Sequence, residues 1–399
     1  MQAFHSLDDL DVTGKTVLVR ADLNVPMNGP DVTDSARIDR FAPTAVRLAE
    51  AGARVVILSH FGRPKGTVVP SMSLAPLQYP LAKAIGRNVG FAAGCVGNVA
   101  ETAVAALAPG EVVLLENLRF HKGEEANDPV FARDLAALGD LYVNDAFSCA
   151  HRAHASTEGV ARLLPTAAGL LMAEELEALS TALDQPERPV AALVGGAKVS
   201  TKLDVLRHLP VRMDHLIVGG GMANTFLFAM GYDMGRSLCE RDMAGAAQLV
   251  LRAAESQDCE IILPVDLVVA GKFSAGAAHE IVDVDAVPSD MMVLDVGPET
   301  VVMLEDRLRR CQTMVWNGPL GVFELTPFDA ATTALARRAA ALTKDGNLRT
   351  VAGGGDTVAA LANAGVLDEF SYVSTAGGAF LEWLEGKDLP GVAALSPAP

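Results

Sequence analysis

No two of the five cysteines, at positions 95, 149, 239, 259 and 311, form a C-x-x-C pair, and their number is odd. That argues against a disulfide framework and suits a reducing compartment. Positive charge is scarce too: 32 Lys and Arg against 49 Asp and Glu leave a formal net charge of -17, which repels nucleic acid and anionic lipid over the body of the protein. Any anion must therefore be held by a local concentration of cations or amides. Uninterrupted apolar runs of membrane-spanning length are missing, and the opening MQAFHSLDDLDV lacks the basic and apolar regions of a signal peptide. A soluble cytoplasmic protein with no nucleic-acid or membrane partner is the expectation. Named nucleotide fingerprints are absent as well. G-x-G-x-x-G would need glycine where Asn224 and Val358 stand, and the GKT at 14–16 has Asp9 in place of the first Walker A glycine and precedes an apolar run instead of following one. Cys149, His151 and His154 have metal-like spacings, but no fourth ligand is near and Arg152 lies among them. The Ser and His residues form no nucleophile motif.

Half of the 399 residues are hydrophobic, enough for a large core and for two domains. Short apolar, β-branched runs alternate with stretches of helical period: TVLVR, RVVILSH, EVVLLEN and DLYVND, then PVAALVGG, HLIVGGG, CEIILPVD, TMVWNG, RTVAGGG and FSYVST. Runs apolar at every position suit strands covered on both faces, and alternation with helices implies parallel sheets joined by right-handed crossovers. The expected fold class is α/β. Between the two sets of runs, GLLMAEELEALSTALDQPERPV reads as a helix stopped by Pro186 and Pro189, and the domain junction is placed there.

In open parallel sheets ligands bind beyond the carboxyl ends of the strands. In the first half those positions carry cations: Arg20, His60, Arg63, Arg119, His151 and Arg152, with Arg37 in a loop or at the start of a helix. Any single arginine is better explained as surface charge beside a carboxylate. Four strand ends of the same kind point to a small polyanion gripped by guanidinium forks. In the second half the strand ends are glycine-rich, at Gly195–Gly196, Gly219–Gly221, Gly318 and Gly321, and Gly353–Gly355, most of them leading into a helical pattern. Any one glycine is explained by a tight turn, but bare loops opening helices suit a nucleotide's phosphates. Lys198 and Lys202, four apart in LVGGAKVSTK, are expected on one helical face.

Taken in order, VRADLNVP, SHFGRPKG, LLENLRFHKGEE, NDAFSCAHRAHAST, LVGGAKVSTK, VGGGMANTFL, VWNGPLGVFE, AGGGDTVA and STAGGAFLEWLEGKDLPGV closely resemble the phosphoglycerate kinase family over nearly the whole chain. The resemblance implies two Rossmann-like domains facing a central cleft: a triose-binding domain at 1–169 on which a tail at 378–399 packs, and a nucleotide-binding domain at 170–377 that includes a linker helix near 170–184. It implies a glycolytic monomer using magnesium with ATP or ADP. The reaction is phosphoryl transfer between 1,3-bisphosphoglycerate and ADP by direct in-line displacement, with closure about the linker helix and the 371–380 segment. The triose set is Arg20, Asp22, Leu23, Asn24, Arg37, His60, Phe61, Gly62, Arg63, Arg119, His151 and Arg152. The nucleotide set is Gly196, Lys198, Lys202, Gly220, Asn317, Glu324, Gly353, Gly354, Gly355, Asp356 and Thr357, with Glu324 at the ribose and Asp356 at the metal; Arg37, Lys198, Gly354 and Gly377 form the catalytic group. A carboxylate acceptor is already ionised at neutral pH, so the absence of an evident general base fits this chemistry. A nicotinamide-dependent oxidoreductase and a non-catalytic polyanion or nucleotide binder are the competing readings of the architecture. Departures from the family pattern fall at Ala376, Phe380, Ser148 and Cys149. If position 376 needs a positive φ, alanine costs on the order of 1 kcal/mol.

Overall fold

The computed structural model describes residues 4–374 and 376–396. The chain divides into two units, Met1–Glu177 with Asp388–Pro399, and Ala178–Lys387. In the first, the strands are β1 (Thr16–Arg20), β2 (Met27–Asn28), β3 (Asp31–Val32), β4 (Arg54–Leu58), β5 (Val89–Ala92), β6 (Val112–Leu115), β7 (Leu141–Asn144) and β8 (Thr166–Ala168). Six of them form a parallel sheet in the order β5-β6-β4-β1-β7-β8, and β2 and β3 form a small hairpin. The central strands are buried at nearly every position because helices cover both faces. On one face the helix Ala36–Glu50 contributes Ile38, Phe41, Ala45 and Leu48 to the core, at the three- and four-residue spacing of one helical stripe.

The second unit adds β9 (Val190–Val194), β10 (His215–Val218), β11 (Glu260–Ile262), β12 (Asp266–Ala270), β13 (His279–Asp283), β14 (Met292–Val296), β15 (Thr313–Asn317), β16 (Arg349–Gly353) and β17 (Tyr372–Ser374). Six are parallel in the order β11-β10-β9-β15-β16-β17, and β13-β12-β14 form a separate antiparallel sheet. The apolar runs read from the sequence all become strands. The antiparallel sheet is an addition to that reading: HEIVD at β13 is largely exposed and so shows no buried alternation.

Each parallel sheet is doubly wound. In the first, the chain leaves β1 toward β4, β5 and β6 and returns on the other side as β7 and β8; in the second it leaves β9 toward β10 and β11 and returns as β15, β16 and β17. The winding therefore reverses between β1 and β7 and between β9 and β15, the topological switch points at which doubly wound sheets bind their ligands. Among the described residues no helix is long and apolar enough to cross a membrane.

The division between units falls within the helix Leu170–Leu183. Its first turn is tied to the first unit, since Leu170 N–H donates to Thr44 Oγ1 at 3.0 Å and Met172 N–H to Asp145 Oδ1 at 3.1 Å. Burial pushes the Asp145 carboxyl up to about 6. Residues 388–396 pack on the same unit through Leu395, which is fully buried, and a bond from Gly391 N–H to the Ala150 carbonyl at 2.8 Å.

Candidate functional site

At the first switch point the loop after β1 meets the loop after β7. Asp22 is the hub: its Oδ2 accepts from Arg37 Nη1 at 2.7 Å and from Ser148 Oγ at 2.5 Å. Arg37 also donates to the Asn24 carbonyl at 2.9 Å, and it is the second residue of the helix Ala36–Glu50, so the helix start is the correct one of its two sequence readings. Leu23 is fully buried and its N–H donates to Ser59 Oγ at 3.0 Å, while Asn24 Oδ1 accepts the Gly62 N–H at 3.0 Å. These bonds lock the loops after β1 and β4 together. Arg119, 4% exposed, donates to the Gly62 carbonyl at 2.8 Å and lies 3.3 Å from Glu125. Arg63 is exposed, and Phe61 and Gly62 are half-buried beside it. Arg152 Nε donates to His151 Nε2 at 3.0 Å. Burial, and then Arg152, hold His151 below the usual histidine range. His60 is held well below it by burial and the charges of Arg20, Arg119, Arg152 and Arg37. The patch is thus guanidiniums with neutral imidazoles among them.

Arg20 differs from its expected place on the rim. It is 1% exposed and engages Ser156 Oγ at 2.8 Å, His60 Nδ1 at 3.1 Å and the Ala21 carbonyl, so it stands behind the patch. The metal-like group that comes together is Asp22, His60 and Cys149, within 4.8 Å, rather than the one built on Cys149, His151 and His154. Arg20 Nη2 lies 3.1 Å from His60 Nδ1 and 3.9 Å from the Cys149 sulfur, so a cation already serves that space.

At the second switch point, backbone replaces side chains. Lys202 Nζ donates to the carbonyls of Gly195 at 2.7 Å and Asn317 at 3.0 Å, spanning the ends of β9 and β15. Burial lowers its pKa to about 8, with the Asp356 charge opposing. Asn317 Nδ2 donates to the Gly353 carbonyl at 2.8 Å, while its buried Oδ1 has no partner among the described residues. Gly354, at φ 99° and ψ 141°, caps the helix Gly355–Ala364 in a conformation that excludes side chains. Thr357 Oγ1 accepts the Gly318 N–H at 2.7 Å, which ties that helix to the loop after β15. Asp356 is exposed in the first helical turn. Gly196 accepts from Met222 N–H at 3.1 Å and so meets the helix Gly220–Ala229 at its start. A cavity of about 260 Å³ opens beside these loops; its walls include Gly196, Gly220, Leu238, Leu294, Val322 and Glu324.

The two lysines do not share a helical face. Val199–Thr201 is a single tight 3₁₀ turn with Lys198 just before it in extended conformation and Lys202 just after, so Lys198 projects to solvent while Lys202 folds back over the strand ends. The cost considered for Ala376 does not arise, because its φ is -102°. Phe380 is fully buried, and its ring packs so close to Gly353 that a Cβ there would lie 2.6 Å from it; Gly377 lies against Gly354, with a Cβ position 3.7 Å from the Gly354 Cα. Thr375, within the 371–380 segment, lies outside the described residues.

Residues that sequence reading missed are those that hold the switch-point loops in place. Asn117, fully buried, accepts the N–H groups of Phe61 and Arg119 on Oδ1, at 3.2 and 3.0 Å, and so fixes the start of the Arg119 loop. Asp295 accepts from Val296 N–H at 2.9 Å and Ala331 N–H at 3.0 Å beneath Gly321, and burial raises it to about 8. The only signal was a polar residue at or just past the end of an apolar run.

The phosphoglycerate kinase family model matches residues 7–387. Phosphoglycerate kinase of Rhizorhabdus wittichii is 62% identical over 394 residues, covering 98% of this chain and 99% of that one, and that of Methylorubrum extorquens is 59% identical over 396 residues, covering 99% of each. Among solved structures, phosphoglycerate kinase from Coxiella burnetii superposes with a TM-score of 0.92 at 44% identity, covering 98% of this chain and 99% of that one. The Pyrococcus horikoshii enzyme gives 0.79 at 31%, covering 98% of each. Fold and full-length identity agree, and the chain belongs to the phosphoglycerate kinase family.

Proposed function

We propose that the two switch points divide the substrates: the first unit holds the triose acid and the second the nucleotide. The chain is an ATP:3-phosphoglycerate 1-phosphotransferase, catalysing the reversible glycolytic transfer from 1,3-bisphosphoglycerate to ADP. On the triose side Arg63, Arg119 and Arg152 supply forks for phosphate and carboxylate oxygens, His60 and His151 supply neutral ring nitrogens, and Asp22, Leu23, Asn24, Phe61 and Gly62 shape the floor. On the nucleotide side the amides of Gly196, Gly220 and Gly353–Gly355 with Thr357 receive phosphate oxygens, Lys202 and Asn317 bracket them, and Glu324 meets the ribose hydroxyls.

Magnesium fits this arrangement. Asp356 offers an exposed carboxylate beside the phosphate-binding amides, and one or two carboxylates plus substrate phosphates are what magnesium ordinarily takes from such a site. Bound there with the nucleotide, the ion neutralises phosphate charge. Arg37 and Lys198 act on the phosphoryl group in transfer, with Gly354 and Gly377 keeping the backbone close; the carboxylate acceptor needs no base, and the work is alignment and charge stabilisation. Because each unit holds one substrate, the reading includes a closing movement, and scattering that showed no compaction with both substrates bound would count against it.

The observation that supports this most is the first switch point: arginines and neutral histidines gathered around Asp22 in a strongly acidic protein. The test is ADP formation from ATP that requires both 3-phosphoglycerate and magnesium. Nucleotide binding without turnover would leave only a binding protein.

A further inference from the structure

Four buried polar side chains of the first unit form one line of hydrogen bonds that ends on His60. Glu124 and Ser156 are fully buried, Arg20 is 1% exposed and His60 4%. Ser156 donates its N–H and its hydroxyl to the two oxygens of Glu124, at 3.0 and 2.6 Å. The same hydroxyl oxygen accepts from Arg20 Nε at 2.8 Å, and Arg20 Nη2 lies 3.1 Å from His60 Nδ1.

The direction of each bond follows from chemistry. A guanidinium has only donors and keeps its protons, so His60 Nδ1 must be the acceptor. A neutral imidazole that accepts on Nδ1 carries its proton on Nε2. Burial raises the Glu124 carboxyl, and Arg20 and the two bonds from Ser156 oppose that rise; the single Ser156 proton points to Glu124 Oε1, which leaves the oxygen's lone pairs for Arg20. The carboxylate therefore orients the hydroxyl, the hydroxyl sets the guanidinium, and the guanidinium selects the imidazole tautomer. Burial and the surrounding arginines keep His60 uncharged, and the groups facing this line are Asp22, Tyr142, Cys149, His154, Arg37, Arg119 and Arg152.

We propose that Glu124 and Ser156 are positioning residues which, through Arg20, hold His60 as its Nε2–H tautomer, so that it offers the triose acid one uncharged donor among the arginines. This rests on the assignment of His60 to the triose site.

The test is the ¹⁵N spectrum of the His60 ring in the full-length protein, alongside steady-state kinetics. In the wild type it should show protonation on Nε2 alone. Ser156→Ala removes the acceptor for Arg20, and Arg20→Lys keeps the charge but loses the fork that reaches both partners. Both should give a mixture of tautomers and raise the KM for 3-phosphoglycerate, by roughly tenfold in Arg20→Lys and less in Ser156→Ala, with the KM for ATP unchanged as a control for folding. Ser156→Thr, which keeps the hydroxyl, should restore the wild-type spectrum. An Nδ1–H or mixed spectrum in the wild type overturns the proposal, as do variants that leave the tautomer in place. A tautomer change with an unaltered triose KM overturns the use of His60 by the triose while leaving the hydrogen-bonded line intact.

Discussion

In the first unit the segments around the switch point carry charged side chains, several of them held by neighbours: Arg37 on Asp22 and Asn24, Arg119 on Gly62, Arg20 on Ser156 and His60. In the second the equivalent ends are bare backbone, held by Lys202 across two carbonyls and by Thr357 under Gly318. Both arrangements suit anions, the first by offering forks of defined direction and the second by offering amides and a helix start. A triose acid has few atoms and needs directional contacts at each. A polyphosphate presents many equivalent oxygens and is served by a concave run of N–H groups.

That contrast can be broken or sharpened experimentally. The largest effect is expected from Arg37→Ala, which should lower kcat by about 10³-fold or more with little change in the nucleotide KM; a near wild-type kcat at saturating substrates would remove Arg37 from the transferring group. Next, Arg63→Ala or Arg152→Ala should raise the triose KM by roughly 10- to 100-fold, the worth of a charged hydrogen bond, and leave the nucleotide KM alone. Gly354→Ala addresses the other unit. Forcing a side chain onto φ 99° should cost about 1–3 kcal/mol in urea unfolding and raise the nucleotide KM while the triose KM stays fixed. Parallel changes in both KM values would show that the two sites are not separate in the way described.

The smallest expected effect concerns pH. Lys202 titrates near 8 in the folded protein, so the nucleotide KM should climb a few-fold as pH rises through that value and the amine loses its charge. The triose KM should not follow, because His60 is already neutral there. The stability effect has a defined sign. A folded pKa below the ordinary lysine value of 10.5 means that the unfolded chain holds this proton more tightly between about 8 and 10.5, so Lys202 makes stability rise with pH across that window. Lys202→Met should flatten both dependences, as read from kinetics and thermal midpoints from pH 7 to pH 10.

Much of this was legible in the primary sequence because apolar runs announce central parallel strands, and residues just past each run lie at the ligand-binding edge by topology alone. Arg63, Arg119, Gly195 and Gly354 were singled out that way, whereas Arg37, on a helix start, was singled out by the family resemblance. What stayed hidden depends on contacts distant in sequence. Glu124 lies in KGEE, whose composition reads as surface charge, and only the fold brings it to Ser156. Arg20 ends its strand like the other cations, yet it turns inward, because Ser156 and His60 lie 136 and 40 positions away. The Lys198 and Lys202 spacing was misread for a local reason: a 3₁₀ turn advances fewer residues per revolution than an α-helix, so positions four apart no longer superpose.

The segment after residue 387 has a consequence for how the protein is made. It covers Ala150 and, through an Asn144 bond to the Gly391 carbonyl at 3.3 Å, closes over the loop after β7. During translation that cover emerges only after all of Ala178–Lys387 has been synthesised. The second unit is one continuous stretch of chain, whereas the first is assembled from two stretches, and its loop after β7 is covered only by residues made after the second unit.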